Sequence, residues 1–221
     1  IRMLIVQLDQ RIREQHIMDG CTAVITLVLD NKYCICANVG DARGVLVSQH
    51  STDHSILGQR ITVDHKSSKY HERRRVMDLG GCTYEGRING YSLSRALGDH
   101  DQRPLISCDP HVHTFVIDPS IHRYLILACD GVWDMVSDQK ASELVHDTFV
   151  KLSTDVGIHE SNVRRINSHA YEEGAKVAMC AAVLRDYAYA LRSMDNISVI
   201  ICKFNNNSEK NWWGYEYDNY Q

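Results

Sequence analysis

No stretch of this 221-residue chain approaches the roughly 20 consecutive apolar residues that span a bilayer, and no charged segment followed by an apolar one opens it. Its eight cysteines include no Cys-x-x-Cys pair, and most sit inside apolar runs such as Leu125-Ile126-Leu127-Ala128-Cys129, which excludes a zinc site of the usual spacing. An excess of one charge is missing too. Lys and Arg number 24 against 28 Asp and Glu, and the signs are interspersed, so there is neither a basic stripe for a nucleic-acid backbone nor a polybasic patch for anionic lipid. Internal repeats and linkers are also lacking. Together these absences predict an intracellular protein, cytoplasmic or nuclear, with buried free thiols and with neither nucleic acid nor membrane as a partner.

What is present is enough for one core: 44% of the residues are hydrophobic. Apolar positions at Ile1, Leu4, Ile5, Leu8 and Ile12 predict a helix already under way at the first residue, with residues upstream of it expected. Val24 to Leu29 and Tyr33 to Val39 are β-branched and aromatic runs parted by Asp30-Asn31, the pattern of a hairpin, and Gly44 to Ser48 predicts a third strand. A helix is expected from Lys66 to Leu79, stopped by Gly80-Gly81. Short strands are expected around Cys82–Tyr84, Gly90–Leu93, Val112–Ile117 and Tyr124–Cys129. Ser137 is placed to cap a helix running to about Val150, Ala175 to Leu191 forms a second helix, and Ile197 to Phe204 a last strand. Residues 153–169 resemble a surface insertion, and 205–221 form a polar, aromatic tail whose Trp212 to Tyr220 stretch is a candidate docking element. The class is α+β, with helices covering sheet faces.

Three aspartates fall where a strand runs out: Asp41, Asp130 and Asp195. Carboxylates so placed project into a rigid rim and suit hard divalent cations, which prefer oxygen ligands. Asp is equally a common turn residue that bonds nearby backbone. Asp130 stands out because it follows a deeply apolar strand and precedes a glycine, so its charge needs a partner.

The segments Asp19-Gly20-Cys21-Thr22-Ala23, Asn38-Val39-Gly40-Asp41-Ala42-Arg43-Gly44, Thr62-Val63-Asp64-His65-Lys66, Ser94-Arg95-Ala96-Leu97-Gly98-Asp99, Ala128-Cys129-Asp130-Gly131-Val132-Trp133-Asp134 and Ser193-Met194-Asp195-Asn196-Ile197-Ser198 resemble, in order, the motifs of the PPM/PP2C metal-dependent serine/threonine protein phosphatases. The resemblance implies an α-β-β-α sandwich of two antiparallel sheets over residues 1–204, with the tail 205–221 outside it. It implies at least two Mg²⁺ or Mn²⁺ ions in the complete protein, phosphoprotein substrates, and direct attack of a metal-bridging water on phosphoserine or phosphothreonine. Asp130 and Asp195 match metal-ligand positions, and Asp41 matches the acid of a third metal position. Asp134 falls beside the cluster and is expected to support it, while Arg95 lies in the motif next to a mobile flap. Thr22, Arg43, His65 and Glu72 match structural positions.

One family segment has no counterpart. Asp-Gly-His-Gly-Gly, which carries a bridging carboxylate and a histidine proposed as general acid, is expected upstream of Ile1, as is the phosphate-binding arginine. His16 lacks the glycines and the preceding aspartate and does not replace that histidine. The resemblance therefore supports a phosphatase whose first motif lies outside the sequence. A non-catalytic scaffold or regulatory subunit of the same fold is the alternative, and a hydrolase of small phosphate esters ranks below both.

Overall fold

The computed structural model describes residues 1–154 and 168–204. Helix α1 (Arg2–Glu14) leads into strands β1 (Ala23–Leu29), β2 (Tyr33–Val39), β3 (Arg43–Gln49) and β4 (Ile56–Arg60). Helix α2 (Tyr70–Asp78), a short 3₁₀ turn (His100–Gln102), β5 (His111–Val116), β6 (His122–Ala128), α3 (Asp130–Trp133), α4 (Asp138–Thr154), α5 (Ser168–Ala190) and β7 (Val199–Lys203) follow.

Two antiparallel sheets form, in the orders β1-β2-β5 and β4-β3-β6-β7. The period of two decides which face each residue serves. From β2, Cys34 and Cys36 turn inward to meet Leu46 of β3 and Leu125 and Leu127 of β6, which is the layer between the sheets. The alternate residues Ala37 and Val39 face Ile5 of α1. Likewise Val45 and Val47 of β3 and Tyr124 and Ile126 of β6 face Val145 and Phe149 of α4 and Cys180 and Leu184 of α5. Strands covered on both faces need continuous apolar runs, and β2, β3 and β6 have them. The order of layers is thus helix, sheet, sheet, helix, the architecture the resemblance implies.

Several expectations need correction. Around Cys82–Tyr84 and Gly90–Leu93 there are isolated bridges, Tyr84 with Arg87 and Ile88 with Tyr91, rather than strands. Glu85, Gly86, Asn89 and Gly90 all take positive φ, so the chain reverses twice within eight residues and leaves no length for a ladder. Helix α2 starts at Tyr70, four residues after Lys66, because Lys66 is engaged in a bridge with Leu93. Its end is as expected, with Gly80 at φ +79. Leu4 and Leu8 of α1 are exposed, and only Ile5 among its apolar residues is fully buried. Ser137 does cap α4, its Oγ accepting from the Lys140 N–H at 3.2 Å. The insertion lies mostly, and the aromatic tail wholly, outside the described residues.

All eight cysteines are free thiols. Burial pushes the Cys34 thiol up to about 12, with the neighbouring Cys36 adding to it, so it is inert as a nucleophile. No helix among the described residues is long and apolar enough to cross a membrane.

Candidate metal centre

Strands β3, β6 and β7 are neighbours, with Arg43 opposite Ala128 and Ala128 opposite Val199. In antiparallel pairs the start of one strand lies beside the end of the next. Asp41 just before β3, Asp130 just after β6 and Asp195 just before β7 are therefore brought to one end of the sheet. The turns that carry them are clamped together. Ser193 Oγ donates to the Gly131 carbonyl at 2.7 Å, and Ser198 N donates to Cys129 Sγ at 3.2 Å. Any Cβ at position 131 would stand 2.2 Å from the Asn196 carbonyl oxygen, so only glycine allows this approach.

On the other side, Asp41 is 4% exposed. Asn38 Nδ2 donates to the Gly40 and Val63 carbonyls at 3.1 and 2.7 Å. His65 is buried, and its Nδ1 accepts from the Gly40 N–H at 3.2 Å. Burial, helped by the Arg95 charge, pulls His65 down to about 4, so the ring is neutral and can accept that bond at pH 7. His65 is thus a structural clamp on the turn that carries Asp41.

The cluster is short of positive charge. Burial first, then the Asp130 carboxylate, push Asp41 up to about 6. Burial followed by Asp195 and Asp134 raises Asp130 as well. Lys66 is the cation that answers them, with Nζ 2.5 Å from Asp134 and 4.0 Å from Asp41. Its own pKa is raised: burial pulls it down, but the hydrogen bond and charge of Asp134 outweigh that. The role of Lys66 was not legible in the sequence, where it is simply the third residue of Asp64-His65-Lys66.

Four carboxylates around one ammonium suit hard divalent cations in charge and in donor type. Geometrically the set is open: no group of three His, Cys, Asp or Glu among the described residues converges tightly enough to hold an ion by itself. The aspartates ring a common space without meeting at a point, and their mutual repulsion, seen in the raised Asp41 and Asp130, fits that spacing.

Arg95 is not part of this ring. It grips Glu72 through Nε and Nη2, the closest contact at 2.6 Å, and its Nη1 donates to the Asp109 carbonyl at 2.8 Å. Ser94 Oγ and Arg75 Nε also donate to Glu72, at 2.7 and 3.1 Å. Arg43 is equally structural, bonding Asp64 at 2.6 Å and Asp138 at 2.5 Å with its guanidinium over the Trp133 ring. Thr22 packs its methyl against Gly40. A second network, Asp9 with Gly98 N–H, Arg103 and His100, ties α1 to the loop before β5. Nothing in the sequence pairs Asp9 with residues some ninety positions away.

The family profile described as Protein phosphatase 2C matches residues 3–197. Among curated relatives, Protein phosphatase 2C homolog 2 of Schizosaccharomyces pombe is 36% identical over 136 residues, covering 57% of this chain and 35% of the relative. Probable protein phosphatase 2C 13 of Arabidopsis thaliana is 30% identical over 207 residues, covering 89% of this chain and 46% of the relative. The chain thus spans less than half the length of either. Among solved structures, a C. elegans sex determining protein superimposes with a TM-score of 0.70 at 27% identity, over 92% of this chain and 45% of that one. Serine-threonine phosphatase 2C from Toxoplasma gondii shares the fold at 22% identity, with a TM-score of 0.64 over 91% of this chain and 64% of its own. With its motifs in order, its sandwich built and nearly all of its described length matched, this chain belongs to the protein phosphatase 2C family.

Proposed function

We propose that the complete protein is a metal-dependent serine/threonine protein phosphatase, with Asp130 and Asp195 as metal ligands, Asp41 at a further metal position and Asp134 beside them. The observation that supports this is the convergence of Asp41, Asp130 and Asp195 at the ends of three adjacent strands, where each raises or shares the others' need for positive charge. Degenerate copies of an enzyme fold have no reason to retain such a costly cluster, which disfavours the scaffold alternative.

Bound Mg²⁺ or Mn²⁺ would supply an acidified water and the charge that offsets the phosphoryl oxygens. The chain's own residues do the positioning. Asp130 and Asp195 are held by turns locked through Ser193, Ser198 and Gly131. Asp41 is held by Asn38 and His65 through Gly40. Lys66, 2.5 Å from Asp134, offsets part of the negative charge of the cluster.

The test is release of phosphate from a phosphothreonine peptide by the complete protein. Turnover should require added Mn²⁺ or Mg²⁺ and should fall at least roughly 100-fold in Asp130→Asn or Asp195→Asn. Unchanged turnover in both variants would remove these residues from the metal site.

A further inference from the structure

A cavity of about 360 Å³ is lined by Met18, Asp19, Gly20, Cys21, Tyr91, Leu93, Ala96 and Asp99. Its place follows from the fold. Cys21 pairs with Leu97 through two backbone hydrogen bonds of 2.9 Å, and the next residue, Thr22, lies against Gly40, the neighbour of Asp41. Thr22 and Gly40 thus connect the cavity wall to the turn that carries Asp41.

The cavity holds an unanswered charge. Asp99 is only 9% exposed, yet its carboxylate makes no hydrogen bond or ion pair among the described residues. The guanidinium that faces it is committed elsewhere: Arg103 Nη2 is 2.7 Å from Asp9 Oδ1. Burial and the Asp101 charge accordingly raise the pKa of Asp99, only partly offset by Arg103 and His100. The Asp99 charge in turn raises the Tyr91 phenol and adds to the burial that raises the Cys21 thiol, which places both groups around it. Asp19, exposed at the rim, adds a second carboxylate.

The walls divide by chemistry. Met18, Leu93 and Ala96 are apolar, and the polar atoms come from Asp99, Asp19, Tyr91 and Cys21. A long basic side chain has that same division, an aliphatic stem and a cationic head. A volume of this size lies at the lower end of the ligand-site range, ample for one side chain. A metal ion is a poorer occupant, because no three ligating groups meet there among the described residues.

We infer that this cavity receives an arginine or lysine side chain of the phosphoprotein substrate, close in sequence to the phosphorylated residue, with Asp99 taking its charge. The inference rests on the phosphatase reading for the identity of the ligand's parent molecule. Extended peptide advances roughly 3.3 Å per residue, so scanning successive flanking positions samples the separation between phosphate and cavity.

The experiment is a cycle of peptide and protein variants, read as binding by fluorescence anisotropy with the complete protein. The peptides carry a non-hydrolysable phosphonate in place of phosphothreonine, and arginine or norleucine at each flanking position in turn. Norleucine keeps the stem and deletes the charge. At one position arginine should bind roughly tenfold tighter than norleucine, and that preference should disappear in Asp99→Asn. Asparagine tolerates the left-handed backbone of residue 99, φ 45, and urea unfolding checks that the variant folds. Asp19→Asn, at the exposed rim, should shrink the preference without abolishing it. No preference at any position in the wild type, or a preference undiminished in both variants, overturns the inference. A separate phosphate-release assay distinguishes the underlying reading: a preserved arginine preference with no turnover in the presence of Mn²⁺ would refute the phosphatase and leave the cavity standing.

Discussion

Glu72 offers the sharpest quantitative test of how this fold is held. Its side chain is 7% exposed and its two oxygens receive bonds from Arg95, Ser94 and Arg75. Burial alone would raise its pKa, but those donors, Arg95 foremost, overturn that and bring it from 4.5 down to about 2. The gap corresponds to about 3 kcal/mol, at 1.36 kcal/mol per pH unit. Because the folded value is depressed, this stability is complete above pH 4.5 and is lost as pH falls toward 2. Glu72→Gln keeps the shape and removes the charge, leaving the half-buried Arg95 with only the longer ion pair to Asp109 Oδ2 at 3.5 Å. At pH 7 the variant should unfold in urea with about 3 kcal/mol less stability. Near pH 3 the wild type should itself have lost about 2 kcal/mol of this contribution, so the two proteins should converge. A difference below about 1 kcal/mol at pH 7, or one that does not narrow in acid, would show that Glu72 is not the keystone described.

Asp41 behaves with the opposite sign. Its folded pKa of about 6 lies above the ordinary 3.8, so ionisation opposes folding as pH rises through that window, and Asp41→Asn should stabilise the chelator-treated protein at pH 7. The gain should vanish below about pH 4, where the wild-type side chain is protonated in both states; melting curves at the two pH values decide this. At Gly58 an added Cβ would stand 2.6 Å from the Asp138 carbonyl oxygen and 2.3 Å from Ser142 Oγ, forcing α4 off β4. Gly58→Ala should therefore cost roughly 2 kcal/mol in urea titration. Gly174→Ala on α5, with nothing within 4 Å, should stabilise by up to about 1 kcal/mol. Equal effects at the two glycines would contradict the packing described for α4.

The strands that were legible in the sequence are those whose chemistry is local. β2, β3 and β6 announce themselves by apolar runs because both faces are covered, and α4 by its serine cap. β4 was missed because Ile56-Leu57-Gly58-Gln59-Arg60 is a largely exposed edge strand whose glycine exists for the approach of a helix. The aspartates at strand ends could be suspected from position alone, but their convergence depends on β6 lying between β3 and β7, which no local pattern states. Lys66, Asp9 and Asp99 stayed hidden for the same reason: each is defined by partners, or by the want of one, far along the chain.

The sheet orders carry a last consequence. Among the described residues β1 and β7 are both edge strands, and Val24 of the first and Cys202 of the second pack into the same inter-sheet layer. Leu27, Val28 and Leu29 on one edge and Ile200 on the other are exposed. Edges that are apolar as well as unpaired act as templates for another strand. No Lys, Arg, Asp, Glu or Pro lies between Ala23 and Leu29, so β1 itself carries nothing that deters such pairing wherever its edge is left uncovered.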